Sequence, residues 1–343
     1  MDFKVDHWGK FSGKDVWLYT AKTASGMEFS FTNFGATLVS IKAPVDNEML
    51  NIAYGFADIN GYLAANFYPG ATVGRYANRI ENGSFTINGK TFFLSKNEGK
   101  NTLHGGVIGL SHRIWNQEEV GERDGVGIVK LSLLSPDGED GFPGNLAITA
   151  TFQITDDNQL GITYVANTDQ ETHVNMTSHG YFNLSGFKSN VLDHMLWIDA
   201  PHYLPVNSKL IPTGELRNVS GTPFDFTVKR AVGADIDLAN DFYDYCFALQ
   251  HANINKPAAM LVNPKNRLSL TLYTNQPGIQ LYTPINPPNI LSSSINLPNH
   301  GNWAVCLEPQ GFPNSPNTPN FPSTLVKPNE AYEHISIFQF EFV

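Results

Sequence analysis

Hydrophobic residues recur at every second position along most of this chain, and that spacing constrains its fold more than any other feature. A period of two places alternate side chains on opposite faces of an extended strand. The runs "IVKLSLL" (128–134), "LAITATFQI" (146–154), "LGITYVAN" (160–167), "RLSLTLYT" (267–274) and "HISIFQFEF" (334–342) all read as strands. "SFTINGKTFFL" (84–94) reads as two short strands around Asn88-Gly89, the strongest short hairpin signal. Turn clusters such as "SPDGEDGFPG" (135–144) and "ITDDNQ" (154–159) separate the runs. The one helical window singled out, "INGYLAA" (59–65), predicts a single short turn of helix. Many short strands with Gly, Pro, Asn and Asp between them predict an all-β sandwich or barrel. The abundance of aromatic side chains, 23 Phe and 13 Tyr, favours the same choice.

A chain of 343 residues can bury a large core, and a β-sandwich of this size can be one unit, so a single domain over 1–343 is expected. The proline-rich stretch "PQGFPNSPNTPNFP" (309–322) resembles a linker, but a strand follows it closely. It is read as a stiff surface loop of the same domain. The net charge of −10 comes with no basic cluster, which argues against nucleic acid or an anionic membrane as a partner. No apolar run approaches the ~20 residues of a membrane span. A neutral small molecule suits this balance better, and oligomeric state is left open. Cys246 and Cys306 are expected to be buried free thiols. Asn-x-Ser/Thr sequons begin at Asn82, Asn175, Asn183 and Asn218. Glycans at the middle two would obstruct a segment read below as site-lining, so a cytoplasmic location is expected.

Motifs for phosphate loops, paired-cysteine or histidine metal sites and serine-hydrolase elbows are missing from the sequence. Two stretches hold the chemistry instead. In "HVNMTSHGYFNL" (173–184), strict alternation puts His173, Asn175, Thr177, His179, Tyr181 and Asn183 on one face. That face carries no Lys, Glu or Arg. It is either a solvated outer face or a surface for sugar hydroxyls and C–H groups. In "NWAVCLEPQGF" (302–312), Ala304, Cys306 and Glu308 share a face, and Trp303, Val305 and Leu307 share the other. Pro309 holds Glu308 extended. Glu308 is thus either a strand-end carboxylate in water or a base in fixed orientation. Asn78 and Arg79 in "GRYANRIENG", and His104 before Gly105-Gly106, add polar groups. The glycines there suggest close approach of the backbone to a ligand.

In chain order, "PGATVGRYANRIENGSF", "NTLHGG", "SPDGEDGFPG", "TSHGYFNLSG", "IPTGE", "FYDYCF", "QPGIQLYT" and "CLEPQGFPNSPN" span about 69 to 317. Together they resemble the aldose 1-epimerase, or galactose mutarotase, family. The resemblance implies a large antiparallel β-sandwich with its site on a concave sheet face. It implies Glu308 as catalytic base and His179 as catalytic acid. His104 would contact the sugar near its ring oxygen. Arg79, Asp244 and Gln280 would hold sugar hydroxyls, with Asn78 assisting. No metal or redox cofactor is required for such a reaction. Tyr245 stands where the family often has His, which puts pocket shape in question. The expected chemistry pairs a carboxylate and an imidazolium on opposite sides of the anomeric carbon. Whether a neighbouring carboxylate or apolar burial decides the imidazole's charge is left open by the residues alone. Three rivals remain at this point. A glycoside hydrolase would need two flanking carboxylates. A non-catalytic sugar-binding module would have no use for an acid–base pair. An enzyme for sugar phosphates would need a cationic clamp.

Overall fold

The computed structural model describes residues 1–286 and 301–343. Antiparallel strands dominate it, in three principal sheets. The strands Asp2–Phe11, Lys14–Lys22, Glu28–Thr32, Thr37–Val45 and Glu48–Asn51 form a five-stranded meander in chain order. A nine-stranded sheet runs Asn116–Arg123, Val126–Ser135, Leu146–Ile154, Gln159–Thr168, Tyr332–Phe342, Leu268–Thr274, Pro257–Val262, Met195–Ile198 and Arg230–Ala231. A six-stranded sheet runs Tyr181–Phe182, Val305–Gln310, Gly278–Tyr282, Asp244–Ala248, His202–Tyr203 and Arg217–Asn218.

The expected strands all form, with ends shifted by two residues or fewer. Along Leu146–Ile154 the even-numbered residues from Leu146 to Ile154 are buried and the odd ones are not, as the alternation requires. At the predicted hairpin, Asn88 and Gly89 both take positive φ, 50° and 78°, as the tightest two-residue turn demands. The short helix spans Ile59–Ala64, where the Asp58 carboxylate accepts from the Gly61 amide at 3.2 Å. One continuous apolar cluster joins the sheets. It includes Phe29, Phe31 and Ile41 from the first, Ile148, Phe152 and Phe338 from the second, and Phe247, Leu281 and Leu307 from the third. Burial of apolar area at about 25 cal/mol per Å² makes this shared interior the main source of stability. The large antiparallel β-sandwich expected from the sequence is therefore what forms.

One expectation fails. Residues 309–315 are not a surface loop but are buried throughout. The Asn314 amide donates to the Arg79 carbonyl at 2.9 Å, and its side-chain oxygen accepts from the Glu81 amide at 3.0 Å. The Tyr76 hydroxyl donates to the Phe312 carbonyl at 2.9 Å. The polar groups of Phe312 and Asn314 are satisfied by neighbouring groups, so this part of the segment can lie inside and brace the strand that carries Arg79.

Candidate functional site

Hydrogen-bonded register places three rows of side chains on the face of the six-stranded sheet turned away from the core. Asp244 pairs with Tyr282, Tyr282 with Cys306, and Cys306 with Tyr181. In the next row Cys246 pairs with Gln280 and Gln280 with Glu308. Extending the Tyr181–Cys306 register by two residues sets His179 beside Glu308. Their nearest atoms, His179 Nε2 and Glu308 Oε1, lie 3.7 Å apart. The third row pairs Ala248 with Gly278 and Gly278 with Gln310. This floor underlies a cavity of about 320 Å³. Asn78, Arg79, His104, His179, Asp244, Gln280 and Glu308, all anticipated from the sequence, line this one space.

Rings hold His179 in place. It stacks on Tyr181, with centroids 4.8 Å apart and planes within 11°. Tyr181 stacks in turn on Trp303 at 5.3 Å and 1°. Tyr68 covers the other side of the imidazole at 6.2 Å. The His179 backbone is fixed too: its amide donates to the Ala71 carbonyl, and its carbonyl accepts from the Gly70 amide. Trp303 thus packs with Ala304 and Cys306 rather than with Val305 and Leu307. The regular strand begins only at Val305, so alternation does not govern the residue before it.

Glu308 is not a strand-end carboxylate in water; it is 2% exposed. Burial, reinforced by the negative charge of Asp244, drives its carboxyl well above the usual carboxylate range. Burial likewise lowers His179 to about 4. Without sugar, burial therefore disfavours the charged form of both groups and favours the shared proton on the carboxyl, beside a neutral imidazole. Desolvation decides the question left open by the residues, against the carboxylate–imidazolium form. Among the described residues, Glu308 Oε2 and His179 Nδ1 have no partner.

Arg79 grips Glu98 through Nε and Nη2, each at 2.8 Å, and reaches Asp244 through Nη1 at 3.5 Å. Gln280 donates to the other Asp244 oxygen at 2.6 Å, which leaves Gln280 Oε1 without a partner among the described residues. His104 Nδ1 accepts from the Asn78 amide at 3.1 Å, so the proton of the neutral ring sits on Nε2. Burial keeps this imidazole uncharged. The cavity therefore offers His104 Nε2 as a fixed donor.

The glycines after His104 serve packing rather than ligand approach. A Cβ on Gly105 would fall 1.8 Å from the Gly74 carbonyl oxygen, at φ +91°. The "SPDGEDGFPG" loop acts as scaffolding. The buried Arg75 guanidinium donates to the carbonyls of Ser135, Pro136, Pro143 and Gly144. From that loop the Asp140 carboxylate accepts from the Val107 and Gly109 amides at 2.9 Å each, which anchors the segment after His104.

Only two residues of the polar face read from 173–184, His179 and Tyr181, line the cavity. Asn175 holds the Gly311 amide and the Ala77 and Gly311 carbonyls. Asn183 donates to the Ser189 and Trp303 carbonyls. His173 packs on Phe85 and bonds Thr324. The segment is three two-residue strands, not one, so alternation over its full length overstates the face. Both internal sequon asparagines are buried and engaged, so neither can bear a glycan in this fold, and they carry no information on compartment. Among the described residues, no helix is long and apolar enough to cross a membrane.

Tyr245 is directed away from the cavity. As neighbour to Asp244 on a strand it takes the opposite face, where it packs 4.5 Å from Phe224. Its replacement of His leaves the pocket wall unaltered. Sequence reasoning passed over Tyr282, two residues after Gln280 on the same face, which alternation could have found. It also passed over Asn66, Phe67, Tyr68, Leu103, Leu210 and Phe242, which line the walls from loops and short segments without periodic signal. His179, Cys306 and Glu308 place donor atoms within 4.8 Å of one another and could hold a metal ion. A larger hollow of about 720 Å³ over the N-terminal sheet contains Trp8 among mixed charges but none of the predicted site residues.

Residues 18–339 match the family described as aldose 1-epimerase. The galactose mutarotase of Sus scrofa is 38% identical over 298 residues, 84% of each chain. The aldose 1-epimerase of Escherichia coli K12 is 37% identical over 341 residues, 96% of each chain. The crystal structure of galactose 1-epimerase from Lactobacillus acidophilus NCFM superposes with a TM-score of 0.86 at 26% identity, covering 99% of this chain and 98% of that one.

Proposed function

This chain belongs to the aldose 1-epimerase family, an isomerase family that interconverts the α and β anomers of free aldoses, and on that premise we propose that Glu308 and His179 are its catalytic pair. The observation that carries the proposal is their placement as cross-strand neighbours 3.7 Å apart on the floor of one cavity. The two oxygens that exchange protons in mutarotation, the anomeric hydroxyl and the ring oxygen, are bonded to the same carbon. Groups serving both oxygens can therefore sit side by side, as these two do, rather than on the opposite sides of the anomeric carbon expected from the sequence.

The reaction proceeds in three steps. Glu308 takes the anomeric proton as His179 protonates the ring oxygen, and the ring opens to the aldehyde. Rotation about the neighbouring carbon–carbon bond presents the other face. Closure returns both protons with roles reversed. Each group contributes roughly 10²–10⁴ in rate. In the sugar-free site the proton rests on Glu308. Sugar hydroxyls that donate to Glu308 Oε2 restore the solvation lost on burial and favour its transfer to His179. His104 Nε2 donates toward the ring oxygen. Arg79, Asp244 and Gln280, joined in one hydrogen-bonded chain, hold the ring hydroxyls, and Asn78 supports His104 through its amide. Tyr68, Phe67, Leu210 and Phe242 supply apolar surface for sugar C–H groups.

We take galactose and glucose as substrates, in a soluble cytoplasmic setting. Polarimetry of freshly dissolved α-galactose and α-glucose, with and without protein, tests this. Equilibration faster than the spontaneous rate is expected with both sugars. Galactose binding with no acceleration would identify a sugar-binding module instead.

A further inference from the structure

Cys306 takes no part in the mechanism above, yet it lies in the same floor. It occupies the same strand face as Glu308, two residues away, and its register partners Tyr181 and Tyr282 both line the cavity. Its thiol is buried and unbridged. The Sγ atom, a His179 ring nitrogen and a Glu308 carboxylate oxygen lie within 4.8 Å of one another. We propose that Cys306, His179 and Glu308 form an inhibitory site for a thiophilic divalent cation of the zinc or cadmium type.

Four arguments support this. The first is distance. Tetrahedral zinc with bonds of about 2.0–2.3 Å to N, O and S separates its donors by roughly 3.4–3.6 Å. The His179 Nε2 to Glu308 Oε1 gap of 3.7 Å already fits, and the remaining gaps, none above 4.8 Å, need to close by at most roughly 1.2–1.4 Å. The second is donor type: one thiolate, one imidazole and one carboxylate suit zinc, whereas magnesium and calcium prefer oxygen alone. The third is charge. The dication displaces the Cys306 thiol proton and the Glu308 carboxyl proton to solvent, against the burial that raises both groups. The resulting thiolate and carboxylate neutralise it, so the bound cluster brings no net charge into a buried place. The fourth is satisfaction of polar groups. Among the described residues, His179 Nδ1 and Glu308 Oε2 are buried without partners, so no second hydrogen bond pins either side chain against the small shift that brings Nε2 and Oε1 onto a cation. Three protein ligands leave a fourth position toward the cavity for water or a sugar hydroxyl.

The metal would occupy the proton-transfer pair and shut off turnover. That consequence rests on the catalytic reading of the cavity; binding does not. Two measurements separate them. Cadmium added to the intact protein should produce an ultraviolet thiolate-to-cadmium charge-transfer band. The band should persist in Cys246→Ala and vanish in Cys306→Ala and Cys306→Ser. In polarimetry, zinc should suppress the rate while magnesium does not. Each Cys306 variant, with turnover near wild type in the absence of metal, should need at least ~10–100-fold more zinc for equal inhibition, the scale expected for losing ligand support. Absence of a Cys306-dependent band, or equal zinc sensitivity in both variants, would overturn the site. A Cys306-dependent band without loss of turnover would uphold the site and refute the assignment of Glu308 and His179 as the catalytic pair.

Discussion

Replacing Glu308 with Gln tests both the chemistry and the cost of burying that carboxyl. The side chain is 2% exposed and Oε2 has no partner among the described residues, so an isosteric amide fits the same volume. The variant loses the base but keeps the sugar-holding chain of Arg79, Asp244 and Gln280. Turnover should fall by about 10²–10⁴, equivalent to roughly 2.7–5.5 kcal/mol of transition-state stabilisation, with little change in KM. Polarimetry on freshly dissolved α-galactose measures this, with the spontaneous rate as its floor. Stability should move the other way. Burial raises the folded-state pKa of Glu308 above its unfolded value. The wild type therefore loses stability as pH rises above the unfolded value, where the unfolded chain ionises and the folded chain resists. Glu308→Gln is free of that penalty, so it should melt higher at neutral pH, with the advantage vanishing below about pH 4.3. Turnover within tenfold of wild type would refute the base assignment. A variant less stable at pH 7 than at pH 4, relative to wild type, would refute the electrostatic reasoning.

Four further outcomes are expected. NMR titration of the His179 ring in the sugar-free protein should show a midpoint near 4, and a midpoint near the ordinary 6.5 would show that desolvation does not dominate. The profile of kcat/KM should be bell-shaped, because activity needs one proton on the pair: it falls as His179 gains a second and as Glu308 loses the last, with limits that belong to the pair jointly. Arg79→Lys forfeits the bidentate hold on Glu98 and the reach to Asp244, so KM for galactose should rise about tenfold or more, from roughly 1.5–3 kcal/mol per charged hydrogen bond, while kcat changes little. Tyr245→His should leave the galactose-to-glucose ratio of kcat/KM within about twofold, because the side chain packs on Phe224 behind the floor.

The floor of the site was legible in the sequence because strands carry a period. Glu308 and Cys306, or Gln280 and Tyr282, share a face for reasons visible in spacing alone. The eight ordered motifs supplied what spacing could not, the partnership of His179 with Glu308 across strands far apart in the chain. Where the chain is not a regular strand, alternation misled. It set Asn175 and Asn183 on one face with His179, although both amides bind backbone carbonyls inside the protein. It also set Trp303 with Val305, although that ring stacks on Tyr181. The charge state of the pair was hidden for a different reason. It depends on how much water the whole fold excludes, which no local window records.

The three rows of floor side chains have a consequence for how such a pocket can change. Slipping any one of these strands by a single residue would turn its reactive groups into the interior and its Leu or Ile residues into the ligand space. Insertions there are ruled out by geometry, so the reacting groups can vary only by substitution in place. The walls obey no such rule: Asn66, Phe67, Leu210 and Phe242 come from loops that tolerate lengthening. Retargeting this scaffold to a bulkier sugar is therefore a task of loop grafting around an untouched base plate.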